Sequence, residues 1–207
     1  MRLVLRLLRC NAGATAAEFG MVLPLLLMFL IGTIDVGRFL WTANRAEKAT
    51  QMGVRYAVAT DMIPAGLASY SFASTGGIPQ CDPIPQSAFG GASCTSSGGT
   101  VTCTCDTGAT CPPLGTPDSE EFGRIVQRMQ NFYPAISANN VLVDYDYAGL
   151  GYAGDPNGSD VVPLVTIKLT GMTFTPLLFR FFGNATVNLP SFSSALTMED
   201  GRGIVAE

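Results

Sequence analysis

Apolar side chains run without a charge over residues 19–34, just after a single acid, Glu18, and behind a leader that carries Arg2, Arg6 and Arg9. At 1.5 Å per residue this stretch falls slightly short of a hydrocarbon core about 30 Å thick. Residues 14–17 lengthen it on one side. Phe39, Leu40 and Trp41 lengthen it on the other, where Trp favours the membrane interface. The pattern predicts one membrane-spanning segment over about residues 19–41. Asp35 and Arg38 stand one helical turn apart in it, placed to pair or to reach headgroups. Pro24 lies inside the run and removes one backbone hydrogen bond, which predicts a kink or a loosened turn. Beyond Trp41, small residues recur at three- and four-residue spacing at Ala43, Ala46, Ala49, Gly53 and Ala57. The helix is therefore expected to continue to about Asp61, on the order of 70 Å in all, with Pro64 as its stop. The small-residue stripe reads as a face for close intrachain packing rather than for a partner.

The rest of the chain is read in two parts. Residues 62–117 are rich in Gly, Pro and Cys and read as irregular, with one short strand over 100–104. So long a loop needs staples or a function. From 118 to 207 the pattern becomes regular. Asp118, Ser119, Glu120 and Glu121 open a helix whose apolar face is Phe122, Ile125, Val126, Met129 and Tyr133. Val141, Val143, Tyr145 and Tyr147 alternate as a strand, Asp155 to Gly158 reads as a turn, and residues 164–170 read as a second strand. Residues 175–183 predict a short apolar helix with a Gly cap, and 185–198 a last strand pair or a strand bent at Pro190. The organisation is a leader (1–13), a long helix (14–61), the loop region (62–117) and an α+β domain (118–207). The fold class is α+β: a long N-terminal helix leading into a small antiparallel sheet with short helices.

Charge and composition narrow the function. Of the 207 residues only 14% are charged, the net charge is −4 and the pI about 4.8. No clustered Lys or Arg is available for phosphates, so a nucleic-acid partner is not expected. Histidine is absent, which removes Ser-His-Asp and Cys-His catalysis and His-ligated zinc. Six cysteines occur. Cys10 stands alone in the leader, while Cys81, Cys94, Cys103, Cys105 and Cys111 cluster in the loop region. Their setting favours disulfides in an oxidising compartment, with one thiol left over because five is odd. Zinc and unpaired structural cysteines are the competing readings. Cys103-Thr104-Cys105 lacks the spacer of a zinc knuckle and does not open a helix as a redox Cys-x-x-Cys does. No enzyme, cofactor or metal is expected. Asp144, Asp146, Asp155, Asn157, Ser159 and Asp160 gather oxygen ligands near one hairpin. That leaves a calcium-binding module as a minor reading, against the bland one of solvated turn acids.

The leader junction carries the sharpest signal. A lone acid at the start of an apolar helix needs a partner, because an uncompensated carboxylate in lipid is costly. A cleaved secretory signal fits less well, since Glu18 precedes the apolar core and no small-x-small site follows it. The positive leader places the N-terminus in the cytoplasm and everything after Trp41 on the far side.

The stretch Gly13-Ala14-Thr15-Ala16-Ala17-Glu18-Phe19-Gly20-Met21-Val22-Leu23-Pro24-Leu25-Leu26 resembles the opening of the TadE-like family of pilin-related proteins of tight-adherence pili. Ile34-Asp35-Val36-Gly37-Arg38 is similar to that family's acid-x-Gly-Arg ending. Phe174-Thr175-Pro176-Leu177-Leu178, followed by a strand into Thr197-Met198-Glu199, is loosely similar to its C-terminal part. The resemblance covers residues 10–60 well, 160–200 loosely and the cysteine loop not at all. It implies a minor pilin or pseudopilin in the bacterial inner membrane with a periplasmic C-terminal domain. A prepilin peptidase would cut between Gly13 and Ala14, where Gly13 has no Cβ to obstruct an extended chain. Glu18, beside Phe19, would then meet the new Ala14 amine of a neighbouring subunit during assembly. The implied partners are membrane lipid, that peptidase, other pilin or pseudopilin subunits and the assembly machinery. The alternative is an unprocessed, single-span, membrane-anchored periplasmic binding protein.

Overall fold

The computed structural model describes residues 14–156, 158–183 and 185–198. The leader with Arg2, Arg6, Arg9, Cys10 and Gly13 lies outside these described residues, as do Asn157 of the expected turn and Glu199. The chain divides into two compact units. One comprises residues up to 42 together with 173–187; the other comprises 43–172 together with those from 188 on.

Helix α1, Ala14–Ala57, is continuous through both units and is assigned without interruption across Pro24. Its length is about 66 Å. It ends short of the expected Asp61, and Pro64 is not its stop. The last turn tightens instead: Val58 N–H donates to Val54 C=O, and Ala59 N–H to Tyr56 C=O.

The second unit is built on a five-stranded antiparallel sheet in the order β2-β1-β3-β4-β7. Its strands are β1 (Gly91–Ser97), β2 (Thr100–Cys105), β3 (Val141–Asp146), β4 (Leu164–Leu169) and β7 (Phe192–Thr197). Two shorter strands, β5 (Thr173–Phe174) and β6 (Val187–Asn188), lie in the segment between β4 and β7. β3 and β4 turn Val143, Tyr145, Val165, Ile167 and Leu169 into a fully buried layer. Helix α3, Ser119–Gln130, buries its own apolar face of Phe122, Ile125, Val126 and Met129. Its N-cap is Asp118, whose carboxylate accepts from the N–H groups of Glu120 and Glu121.

The small-residue face of α1 packs within the chain, as the spacing predicts. Ala46, Ala49 and Ala57 are buried. A Cβ on Gly53 would come within 2.8 Å of Met129 Cγ and 3.1 Å of Ile167 Cδ1. Arg45 Nε–H donates to Phe132 C=O, and Thr50 Oγ1 lies 3.1 Å from Ser194 Oγ.

The loop region differs most from the sequence reading. It holds a short helix, α2 (Ala65–Ser69), and both strands of the β1–β2 hairpin. β1 is an interior strand of the sheet, yet its sequence is Gly-Ala-Ser-Cys-Thr-Ser-Ser. No β-branched or aromatic alternation announces it, because its buried positions, Ala92, Cys94 and Ser96, are small. Gly98 and Gly99 take φ of 58° and 87°, the pair of left-handed residues that a two-residue hairpin loop demands. Elsewhere the loops are stitched to the core. Gly66 N–H donates to Leu114 C=O, Asp118 N–H to Ile63 C=O, and Phe72 N–H to Asp160 Oδ2 at 2.7 Å.

Tyr145 ties the loop region to the sheet. Its ring is fully buried, and its hydroxyl oxygen accepts from Ile63 N–H at 3.1 Å. Burial is the main cause that pushes its phenol above the ordinary 10.0; the Glu121 charge adds to this and the Ile63 hydrogen bond opposes it. The folded protein thus holds this proton more tightly than the unfolded chain does. That stability is intact below pH 10 and drains as pH rises beyond it, on the order of 1 kcal/mol per pH unit. Tyr145→Phe is expected to cost about 1–3 kcal/mol at neutral pH, because the Ile63 donor is left without an acceptor. It should also flatten the alkaline decline. Chemical unfolding of the detergent-solubilised protein across the alkaline range checks both, and equal alkaline slopes in the two proteins would refute the assignment.

Candidate functional site: the apolar helix and the segment that caps it

In α1, Glu18 is exposed and has no partner among the described residues. Phe19 is 65% exposed. Ala14 is the first residue of the helix. Met21, Val22, Leu25, Leu26, Leu27, Met28, Phe29 and Leu30 also face outward. The most apolar stretch has a mean hydropathy of 2.2 with 6% of it buried, so α1 is long and apolar enough to cross a membrane. A soluble fold does not leave so many large apolar groups in water, and this exposure is what a lipid-facing helix requires.

Asp35 is the exception in this outward-facing stretch, for it is buried to 7% exposure. One oxygen accepts from Arg38 Nη1 at 2.9 Å, the pairing anticipated from their spacing. The same carboxylate also accepts two backbone donors far along the chain: Leu177 N–H at 2.8 Å and Leu178 N–H at 2.9 Å. These are the first amides of helix α4, Leu177–Phe182, whose N-cap position is Pro176 with no capping side chain of its own. Asp35 therefore caps a helix to which it is not adjacent in sequence. Arg38 lies over the Phe174 ring at 5.3 Å, and Phe39 meets that ring edge-on at 5.6 Å. The two resembling motifs, Ile34–Arg38 and Phe174–Leu178 in residue terms, thus join at one carboxylate. Sequence reasoning missed this contact. The available signal was a short helix opening on Pro176 without a Ser, Thr, Asp or Asn at its cap, in a chain with an unexplained acid inside an apolar helix.

The five described cysteines resolve into two disulfides, Cys94–Cys103 and Cys105–Cys111, with Cys81 free and exposed. Cys94 and Cys103 face each other across the β1–β2 ladder, and Cys105–Cys111 closes the loop beyond β2. Cys103 and Cys105 are bonded to different partners and form no dithiol of their own.

The acids of the expected calcium site are not brought together. Asp160 accepts from Phe72 N–H and Asp155 N–H, and Asp144 is paired with Lys168. The hydrogen bond to Asp144 is the main cause that raises the Lys168 ammonium above its ordinary range. Burial, then the Asp144 and Asp106 charges, push the Asp146 carboxyl up. Among the described residues no three His, Cys, Asp or Glu side chains are grouped to hold a metal ion; Asn157 of that set lies outside them.

These features define a class: an α+β protein with an antiparallel sheet and, among the described residues, one helix long and apolar enough to cross a membrane. The model of the TadE-like protein family matches residues 13–55. That match covers the apolar helix and its continuation, and it associates the chain with tight-adherence pilus systems. No curated protein and no solved structure is matched.

Proposed function

We propose that this protein is a minor pilin or pseudopilin of a tight-adherence pilus, inserted in the bacterial inner membrane with its sheet in the periplasm. The observation that carries the reading is the family match, which begins at Gly13 and runs along the exposed apolar length of α1. In this reading a prepilin peptidase cuts between Gly13 and Ala14. The new amine at Ala14 gives the unpartnered Glu18 of a neighbouring subunit a cation at the same depth. Two charges that are each costly in lipid then neutralise one another. The paired cysteines support placement in an oxidising compartment.

N-terminal sequencing of the membrane-extracted protein tests the processing step. Ala14 is the expected first residue; an intact Met1 in cells that hold the peptidase would leave a plain anchored periplasmic protein instead. Glu18→Ala tests the assembly step. The variant is expected to insert in the membrane at normal levels but to co-purify with its pilus assembly on the order of tenfold less. Undiminished co-purification would overturn the charge-pairing role.

A further inference from the structure

Helix α4 is a candidate for more than packing. Leu178 shares an open groove of about 620 Å³ with Val22, Leu25, Leu26, Met28 and Phe29 of α1. Every side chain lining it is apolar. Phe29 lies about 18 Å along the helix axis from Trp41, and residue 19 about 33 Å from it. A hydrocarbon core about 30 Å thick that ends at Trp41 therefore places Phe29 near its middle. Asp35 stands about 9 Å from Phe29 on the Trp41 side, so the cap of α4 lies inside the same layer.

The capping pattern is what that depth requires. In water the opening amides of a short exposed helix are satisfied by solvent. In hydrocarbon they must be satisfied by the protein. Asp35 supplies acceptors for Leu177 and Leu178, and Arg38 neutralises Asp35 in turn. At the other end Gly183 N–H donates to Phe179 C=O. Phe179 is 38% exposed, and Arg180 is exposed one residue later.

We propose that α4 is a second membrane-inserted element, lying in the bilayer beside α1. Leu178 and Phe179 lie among lipid acyl chains, which fill the groove that Leu178 forms with α1. The occupant is lipid because the groove is continuous with the exposed apolar surface of α1, and whatever solvates Leu25 and Phe29 also solvates Leu178. This rests on the reading of α1 as a membrane span, and the experiment separates the two.

Trp41 is the chain's only tryptophan and is exposed, so Trp41→Phe gives a silent background. Phe179→Trp and, separately, Leu26→Trp are introduced into it. The full-length proteins are reconstituted in phosphatidylethanolamine–phosphatidylglycerol vesicles with or without lipids brominated mid-chain. The expected result is loss of Phe179→Trp emission to bromolipid as large as that of Leu26→Trp, with both shielded from aqueous acrylamide. If only Leu26→Trp responds to bromolipid and Phe179→Trp responds to acrylamide, α4 lies in water and the proposal fails while the span stands. If Phe179→Trp is shielded from both quenchers, a second copy or another protein covers it, and the proposal fails equally. If neither site responds to bromolipid, the span itself is refuted and this proposal with it.

Discussion

Asp35→Leu is expected to release residues 173–187 from α1 while the five-stranded sheet stays folded. The substitution removes the acceptor of both opening amides of α4 and strands the Arg38 guanidinium beside an apolar side chain. Hydrogen bonds to a charged acceptor are roughly twice as strong as neutral ones, and an unpaired group in an apolar setting is costlier still. Backbone exchange at Leu177 and Leu178, followed by mass spectrometry on the protein in a lipid bilayer, should quicken by on the order of tenfold or more. Exchange in β3 and β4 should not change. Asp35→Asn keeps one carbonyl acceptor without charge and should fall between the two. Unchanged exchange at Leu177 and Leu178 in Asp35→Leu would show that the carboxylate is not what holds the helix.

Reducing both disulfides is expected to cost about 5 kcal/mol in all, from about 2–3 kcal/mol for each small loop they close. For a domain of this size the thermal midpoint should drop by about 10–20 °C. The loss should concentrate in the hairpin, because Cys94–Cys103 links β1 to β2 directly. Thermal unfolding with and without dithiothreitol measures it, and Cys94→Ala/Cys103→Ala isolates the cross-strand link. A midpoint unmoved by reduction would mean that the apolar layer under β3 and β4 carries the hairpin unaided.

The parts of this fold that were legible in the sequence are those whose side chains repeat. The unbroken apolar run gave α1, the Phe122-Ile125-Val126-Met129 face gave α3, and Val143, Val165 and Ile167 gave the strands at the sheet centre. Residues 91–97 could not be read this way. A strand buried through Ala92, Cys94 and Ser96 leaves no hydrophobic period, and its place in the sheet comes from Val143 and Tyr145 on the neighbouring strand. The end of α1 was misplaced for a related reason. Pro64 is a visible stop, whereas the tightened turn after Ala57 runs through Val58, Ala59 and Thr60, with no Gly or Pro to mark it. Of the candidate site, Asp35 and Arg38 were legible as a local pair. The carboxylate's remote partners were not, because they are backbone amides, and amides leave no trace in a residue pattern.

The ladder of β4 with β7 has one further consequence. These neighbouring strands are joined by the whole stretch from Thr170 to Ser191 rather than by a tight turn. Closing so long a loop costs about 2 kcal/mol more than closing a two-residue hairpin, a modest penalty for a sheet with a full apolar layer. The Met172 C=O to Leu189 N–H bond gathers its two ends where they leave and rejoin the ladder. The stretch carrying α4 is thus a graft on a scaffold that does not depend on it. Across evolution, it could be lengthened, shortened or exchanged for another without redesigning the strands on either side.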